Sequence, residues 1–293
     1  VIVVTSAMSG VTNELIKKSL EISENFSNSE HDVLVSSGEQ VACSLIAGRL
    51  IHKGYKSRSW LSWQVPIITV GIHKNSRINQ INKNKIVRYL KEGGIPIITG
   101  FQGVNNENRI TTIGRGGSDA SAIMLAKFFK AERCIIYTDV EGVYTTDPNK
   151  LKKAKKIQVI SYEEMLEMAS LGANVLQTRA VELAMRHKVP ITVLNSFSNE
   201  EGTLVCDEEE IMEKNIVSGI AFQKNESQLT LTNIEDKPGV AAKIFGPLAS
   251  SGVNIDMIVQ SNTETGLTNI TFSCPEDDLD TAKKAIWLSL IHI

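Results

Sequence analysis

Aromatic residues make up only 5% of this 293-residue sequence, and its four cysteines include no CxxC pair. Cys43, Cys134, Cys206 and Cys274 are too widely spread for a disulfide framework or a cysteine-based zinc site, and they suit a reducing, cytoplasmic setting. No apolar run is long enough to span a bilayer and no signal-peptide pattern is present, so no membrane association is expected. Charge of one sign is also missing in bulk. A formal net charge of -2 gives no general pull toward nucleic acid or anionic lipid. The one basic cluster, Lys152, Lys153, Lys155 and Lys156, lacks the interleaved aromatics of a strand-binding groove and reads as a solvated segment. An initiator Met is absent too: the chain opens at Val1, already inside a strand-like run.

What is there is an ordinary soluble composition, 42% hydrophobic and 22% charged, long enough for one large and one small domain. Val1–Thr5, Ile95–Thr99, Cys134–Thr138 and Ile191–Leu194 are near-continuous apolar runs, the pattern of strands covered on both faces. Helical stripes alternate with them. Ala122, Leu125, Ala126 and Phe129 follow Ser118-Asp119, which can cap the start. Ser161 and Glu164 form a capping box ahead of Met165, Met168 and Ala169, and Leu176, Ala180, Leu183 and Ala184 line another face before Pro190. This predicts an α/β fold, a three-layer αβα sandwich with a mostly parallel sheet.

The acidic stretch from Asp207 to Lys214 reads as a link, giving domains over residues 1–206 and 216–293. Beyond it, strands over Ile216–Phe222, Gln228–Ile234, Asn254–Gln260 and Leu267–Ser273 alternate with helices over Pro238–Ser250 and Asp277–Leu288. That ββαββα order predicts a small ferredoxin-like α+β unit, incomplete because no strand follows the second helix.

Four clusters carry chemistry. Ser6-Ala7-Met8-Ser9-Gly10-Val11-Thr12-Asn13 is a hydroxyl-rich turn entering a helix, suited to an anion and equally to an ordinary helix start. Ser36-Ser37-Gly38-Glu39 sets a carboxylate beside a glycine turn, where a solvated loop Glu is the plain alternative. Thr111-Thr112-Ile113-Gly114-Arg115-Gly116-Gly117-Ser118-Asp119 combines backbone that a ligand can approach with an arginine able to fork a carboxylate. Its spacing is not the dinucleotide fingerprint, and no HRD or DFG sequence follows as in protein kinases. Tyr137-Thr138-Asp139-Val140-Glu141-Gly142-Val143-Tyr144 runs off a strand into Thr145-Thr146-Asp147-Pro148, at the sheet edge where open α/β folds bind ligands.

Together, and in this order, these motifs resemble aspartate kinases. So do Gly100-Phe101-Gln102-Gly103, Ile160-Ser161-Tyr162-Glu163-Glu164-Met165 and Ser170-Leu171-Gly172-Ala173. Asp236-Lys237-Pro238-Gly239-Val240-Ala241-Ala242-Lys243-Ile244-Phe245 looks like the start of an ACT domain, that family's amino-acid sensor. The resemblance covers nearly the whole chain, up to about Ala285. It implies transfer of the γ-phosphoryl group of ATP to the β-carboxylate of L-aspartate, giving 4-phospho-L-aspartate for lysine, threonine and methionine synthesis. Carried over residue by residue, it sets Arg115 on the substrate α-carboxylate and Glu39 opposite its ammonium, with Ser6 and Thr12 beside substrate and phosphates. Ser118 and Asp119 organise the catalytic pocket, and Thr138, Asp139, Tyr144 and Asp147 hold the nucleotide. Magnesium rides on the ATP phosphates with no protein cage. Asp236, Gly239, Ala241, Asn254 and Gln260 are expected to line a pocket for lysine or threonine, in a homo-oligomer paired through ACT units.

Three departures bear on turnover. The family's opening Lys-Phe-Gly-Gly-Thr-Ser strand precedes Val1, and Asn149 and Asn174 stand where the family usually has Arg and Lys. Each missing cation typically costs on the order of 10²–10³ in rate, so this chain is expected to turn over little. A non-catalytic amino-acid-sensing fragment is the rival of another class. A kinase for glutamate or acetylglutamate is the same-fold rival, disfavoured by the ACT segment and by Ser36-Ser37-Gly38-Glu39.

Overall fold

The computed structural model describes residues 1–173, 175–211, 219–221, 225–235, 237–262 and 267–290. The chain folds as two compact units, Val1–Ala221 and Phe222–Ile293.

The first unit runs β1 (Val3–Thr5), α1 (Val11–Ile22), α2 (Asn28–His52), β2 (Ser57–Trp60), β3 (Ile67–Val70), β4 (Arg77–Ile81), α3 (Asn84–Lys91) and β5 (Ile95–Thr99). It continues with β6 (Gln102–Val104), β7 (Ile110–Thr112), α4 (Gly117–Phe129), β8 (Cys134–Thr138), β9 (Val159–Ser161), α5 (Tyr162–Ser170), α6 (Thr178–His187), β10 (Ile191–Asn195) and β11 (Thr203–Cys206). Strands order β1-β5-β2, β4-β3-β6-β7 and β8-β10-β11-β9. The first set is parallel throughout, and in the last only the β10–β11 pair is antiparallel.

Consecutive side chains of a strand point to opposite faces, and β5 shows what covers each one. Ile97 packs with Cys43 and Ala47 of α2, while Ile98 packs with Ile86 of α3 and Met124 and Leu125 of α4. Both isoleucines are fully buried, each worth roughly 1.5–3 kcal/mol relative to exposure. Helices on both faces of a parallel strand make the expected αβα layering. Helix α4 joins the two halves of the unit, because Ile123 and Ala126 turn instead to the core of β8 and β10 with Cys134, Ile136, Ile191 and Val193. Helix α5 starts at the capping box read from sequence: Ser161 Oγ accepts the Glu164 N–H at 3.2 Å, and Glu164 Oε2 accepts the Ser161 N–H at 3.1 Å. All four cysteines are buried thiols, three in this unit and Cys274 in the second.

The second unit holds β12 (Glu226–Glu235), α7 (Val240–Ser250), β13 (Ile258–Asn262), β14 (Leu267–Pro275) and α8 (Leu279–Leu290), with an antiparallel sheet ordered β12-β14-β13. Strand β14 alternates buried and half-buried residues, and Phe272 at its centre meets Phe245 edge-on with ring centroids 5.6 Å apart. Two boundaries differ from the sequence reading. Helix α7 begins at Val240, because Gly239 takes a left-handed φ of 91° as its N-cap and leaves Pro238 outside. Strand β13 begins at Ile258, so Asn254 lies before it. Of the strand expected over Ile216–Phe222, residues 216–218 and 222 lie outside the described residues, and Gly219, Ile220 and Ala221 are not in a strand.

Candidate active site

Three segments far apart in sequence meet where β1 and β5 end. The Gly100 N–H donates to the Thr5 carbonyl at 3.0 Å, and a Cβ on Gly100 would lie 2.8 Å from that oxygen and 3.0 Å from Ser118 Cα. Only glycine fits this crossing. Beside it Ser6 Oγ and Ser118 Oγ are 3.1 Å apart. Glu39 reaches the same turn, its Oε1 accepting the Ala7 N–H at 3.2 Å.

The segment Ser36-Ser37-Gly38-Glu39 is not the loop expected from its glycine. It lies inside the 25-residue helix α2. A Cβ on Gly38 would stand 2.9 Å from Ala7 Cβ and 3.2 Å from Val11 Cγ1, so this glycine lets α2 press against the turn and the start of α1. Thr12, half-buried, sits in that first turn of α1. Close packing leaves Glu39 3% exposed, with its Oε2 lacking a partner among the described residues. Burial without a cation favours the neutral acid, and Glu39 is pushed up to about 7. Burial likewise raises Asp119, in the first turn of α4, to about 6. Burial thus raises two carboxylates, Glu39 against the Ser6-Ala7 turn and Asp119 next to Ser118 in the chain.

The Gly114–Gly117 loop also differs from expectation. Helix α4 is capped by Gly116 in the left-handed region, with no side-chain cap, so neither Ser118 nor Asp119 plays that part. Ser118 is already helical, which frees its hydroxyl for Ser6. Gly116 and Gly117 answer to packing: a Cβ there would strike Gln177 Cβ at 2.5 Å and Phe101 Cδ2 at 2.6 Å. Arg115, between Gly114 and Gly116, is exposed and has no side-chain partner among the described residues. Two charged residues absent from the sequence reading hold this loop. Arg179 of α6 donates to the Ile113 and Ser76 carbonyls, and the fully buried Asp32 of α2 accepts from Thr112 Oγ1 at 2.7 Å.

The second group lies at the carboxyl end of β8. Thr138 Oγ1 donates to Asp139 Oδ1 at 3.1 Å, and Asn195 Nδ2, at the end of β10, donates to the Asp139 carbonyl at 3.3 Å. Tyr144 is half-buried, its hydroxyl donating to Glu141 Oε2 at 2.9 Å. Asp147 Oδ1 accepts the Asn149 N–H at 2.9 Å and so closes the Asp-Pro turn. After β10, the Ser196 N–H donates to the Thr138 carbonyl at 2.8 Å. Phe197 follows, 88% exposed, and Ser198 Oγ is buried without a partner among the described residues. No periodicity marked them, because they follow the last residue of a strand. Of the residues assigned to effector binding, Ala241, Asn254 and Gln260 are exposed on the second unit and Gly239 caps α7; Asp236 lies outside the described residues, as does Asn174 in the first unit.

The amino acid kinase family profile matches residues 1–195, and an ACT domain profile matches residues 232–287. The chain is 48% identical over 287 residues to an aspartate kinase of Stutzerimonas stutzeri, covering 98% of this chain and 70% of that protein. It is 47% identical over 279 residues to an aspartokinase of Geobacillus stearothermophilus, covering 95% and 69% respectively. Among solved structures it resembles E. coli aspartokinase III in complex with aspartate and ADP, with 27% identity, a TM-score of 0.76, and coverage of 94% of this chain and 72% of that one. These likenesses extend across both units, which favours a kinase over a sensing fragment.

Proposed function

The chain belongs to the aspartate kinases of the amino acid kinase family, and on that premise we propose that it transfers the γ-phosphoryl group of ATP to the β-carboxylate of L-aspartate. A carboxylate oxygen attacks the γ-phosphorus, the bond to the β-phosphate oxygen breaks, and ADP leaves with 4-phospho-L-aspartate as product. Such transfers need alignment and charge neutralisation more than covalent help. The observation that carries the reading is the meeting of Ser6, Glu39 and Ser118 at the ends of β1 and β5, with Arg115 exposed in the loop that leads into Ser118.

In this reading Arg115 forks the α-carboxylate and Glu39, ionised by its partner, faces the ammonium. Ser6, Thr12 and Ser118 direct hydroxyls to substrate and phosphates, and Asp119 sets the polarity of the pocket. Thr138, Asp139, Tyr144 and Asp147 hold the nucleotide. Magnesium is assigned to the ATP phosphates. Residues 1–206 would form the catalytic domain and 216–293 the ACT domain, where Gly239, Ala241, Asn254 and Gln260, with Asp236, would take lysine or threonine in a homo-oligomer. The pathway is the cytoplasmic synthesis of lysine, threonine and methionine.

Replacing Arg115 by Ala tests the substrate assignment. Charge-assisted hydrogen bonds are worth roughly 1.5–3 kcal/mol, so aspartate affinity should fall about 10- to 150-fold while ATP affinity holds. Coupled ADP release and calorimetry with aspartate read both quantities. An Arg115→Ala protein that handles aspartate normally would sink the assignment.

A further inference from the structure

We infer that Arg179 and Asp32 are positioning residues, which grip the Arg115 loop from two sides and fix its aspartate-binding shape; this rests on the reading of Arg115 given above. The loop needs such help. Arg115 stands between Gly114 at φ 89° and Gly116 at φ 68°, and left-handed glycines supply little stiffness of their own.

The stiffness comes from outside. The hairpin tip between β3 and β4, residues 72–76, lies against the loop, with the Ser76 N–H donating to the Thr112 carbonyl at 3.0 Å. A Cβ on Gly114 would stand 3.0 Å from the Lys74 carbonyl. On one side Asp32 joins both segments. Its carboxylate lies 2.6 Å from His73 Nδ1, accepts the Lys74 N–H at 3.1 Å, and accepts Thr112 Oγ1 at 2.7 Å. These bonds also hold Lys74 at φ 66°, a conformation that a non-glycine residue adopts at a cost. On the other side the Arg179 fork joins the same two segments. Nη1 donates to the Ile113 carbonyl and to Asn75 Oδ1 at 3.1 Å, and Nη2 donates to the Ser76 carbonyl at 2.8 Å. A carboxylate from α2 and a guanidinium from α6 therefore clamp the hairpin tip to the two residues that precede Gly114-Arg115. Both charges are spent on backbone and neighbouring side chains, so neither needs to touch substrate to govern where Arg115 points.

The test is a double-mutant cycle on the full chain, read by calorimetric binding of aspartate and of a non-hydrolysable ATP analogue. Arg179→Gln should weaken aspartate binding about tenfold or more, Arg179→Lys should retain part of it, and ATP-analogue binding should change less than about twofold. Asp32→Asn should weaken aspartate binding in the same selective way. In an Arg115→Ala background Arg179→Gln should add less than about twofold, because its effect runs through the side chain already removed. An unselective loss of both ligands, or a full additional loss in the Arg115→Ala background, would overturn the inference, as would Arg179→Gln binding aspartate like the parent. If Arg179→Gln gives no cooperative melt, Arg179→Lys and Asp32→Asn carry the same comparison. If Arg115→Ala itself leaves aspartate binding intact, the reading of Arg115 fails rather than the clamp.

Discussion

Glu39 is a residue whose environment sets its own pH dependence. An unfolded chain releases its proton near the ordinary 4.5 and the folded chain near 7, so stability is lost as pH rises through that window, on the order of 3 kcal/mol in full. Glu39→Gln should therefore melt above the parent at pH 8, and the two should converge toward pH 4.5. A bound ammonium would reverse the balance by holding Glu39 ionised. Aspartate affinity should fall about tenfold for each pH unit below about 7, with Asp119→Asn as the control for the second raised carboxylate. A flat calorimetric profile from pH 6 to 8 would remove Glu39 from the ammonium site. At this scale the sequence singled out residues that lie in local patterns. Ser6, Glu39, Arg115 and Ser118 sit in motifs; Arg179 and Asp32 do not, because their partners lie 103 and 80 residues away in the chain.

At the scale of elements, apolar runs buried on both faces were legible. Strands β5 and β8 match their sequence reading residue for residue, since a parallel strand between helices has little else it can be. Glycines were the less legible signal. Gly38 reads as a turn and is helical; Gly116 and Gly117 read as a ligand cradle and are spacers between packed segments. A glycine needed for close approach looks, in one dimension, like a glycine needed for a turn. Gly100→Ala tests the distinction. Its methyl would sit 2.8 Å from the Thr5 carbonyl, so β1, β5 and α4 must part. Overpacking of this kind costs about 1–3 kcal/mol. Thermal melting should record that loss, and phosphorylation of aspartate should fall with it because Ser6 and Ser118 separate. A fully stable, fully active Gly100→Ala protein would show that the crossing is not needed.

The whole molecule is two cores. One set of clusters gathers helices and strands of the first unit, and a separate one gathers Ile244, Leu248, Phe272 and Ala282 of the second. Residues 1–221 expressed alone should thus keep a cooperative melt and bind aspartate, which calorimetry can follow; a chain that unfolds without residues 222–293 would argue that the cores depend on each other. The buried thiols provide a reporter that needs no labelled residue to be introduced. Cys43, Cys134 and Cys206 are sealed in the first unit and Cys274 in the second, each at most 6% exposed. An alkylating reagent reaches them only when the surrounding structure opens. Mass spectrometry of a timed alkylation therefore counts openings: one adduct marks the second unit opening by itself, three mark the first, and four together mark a molecule that opens as one. Adding aspartate should slow the three-adduct step, turning a composition poor in cysteine into a clock for each half of the chain.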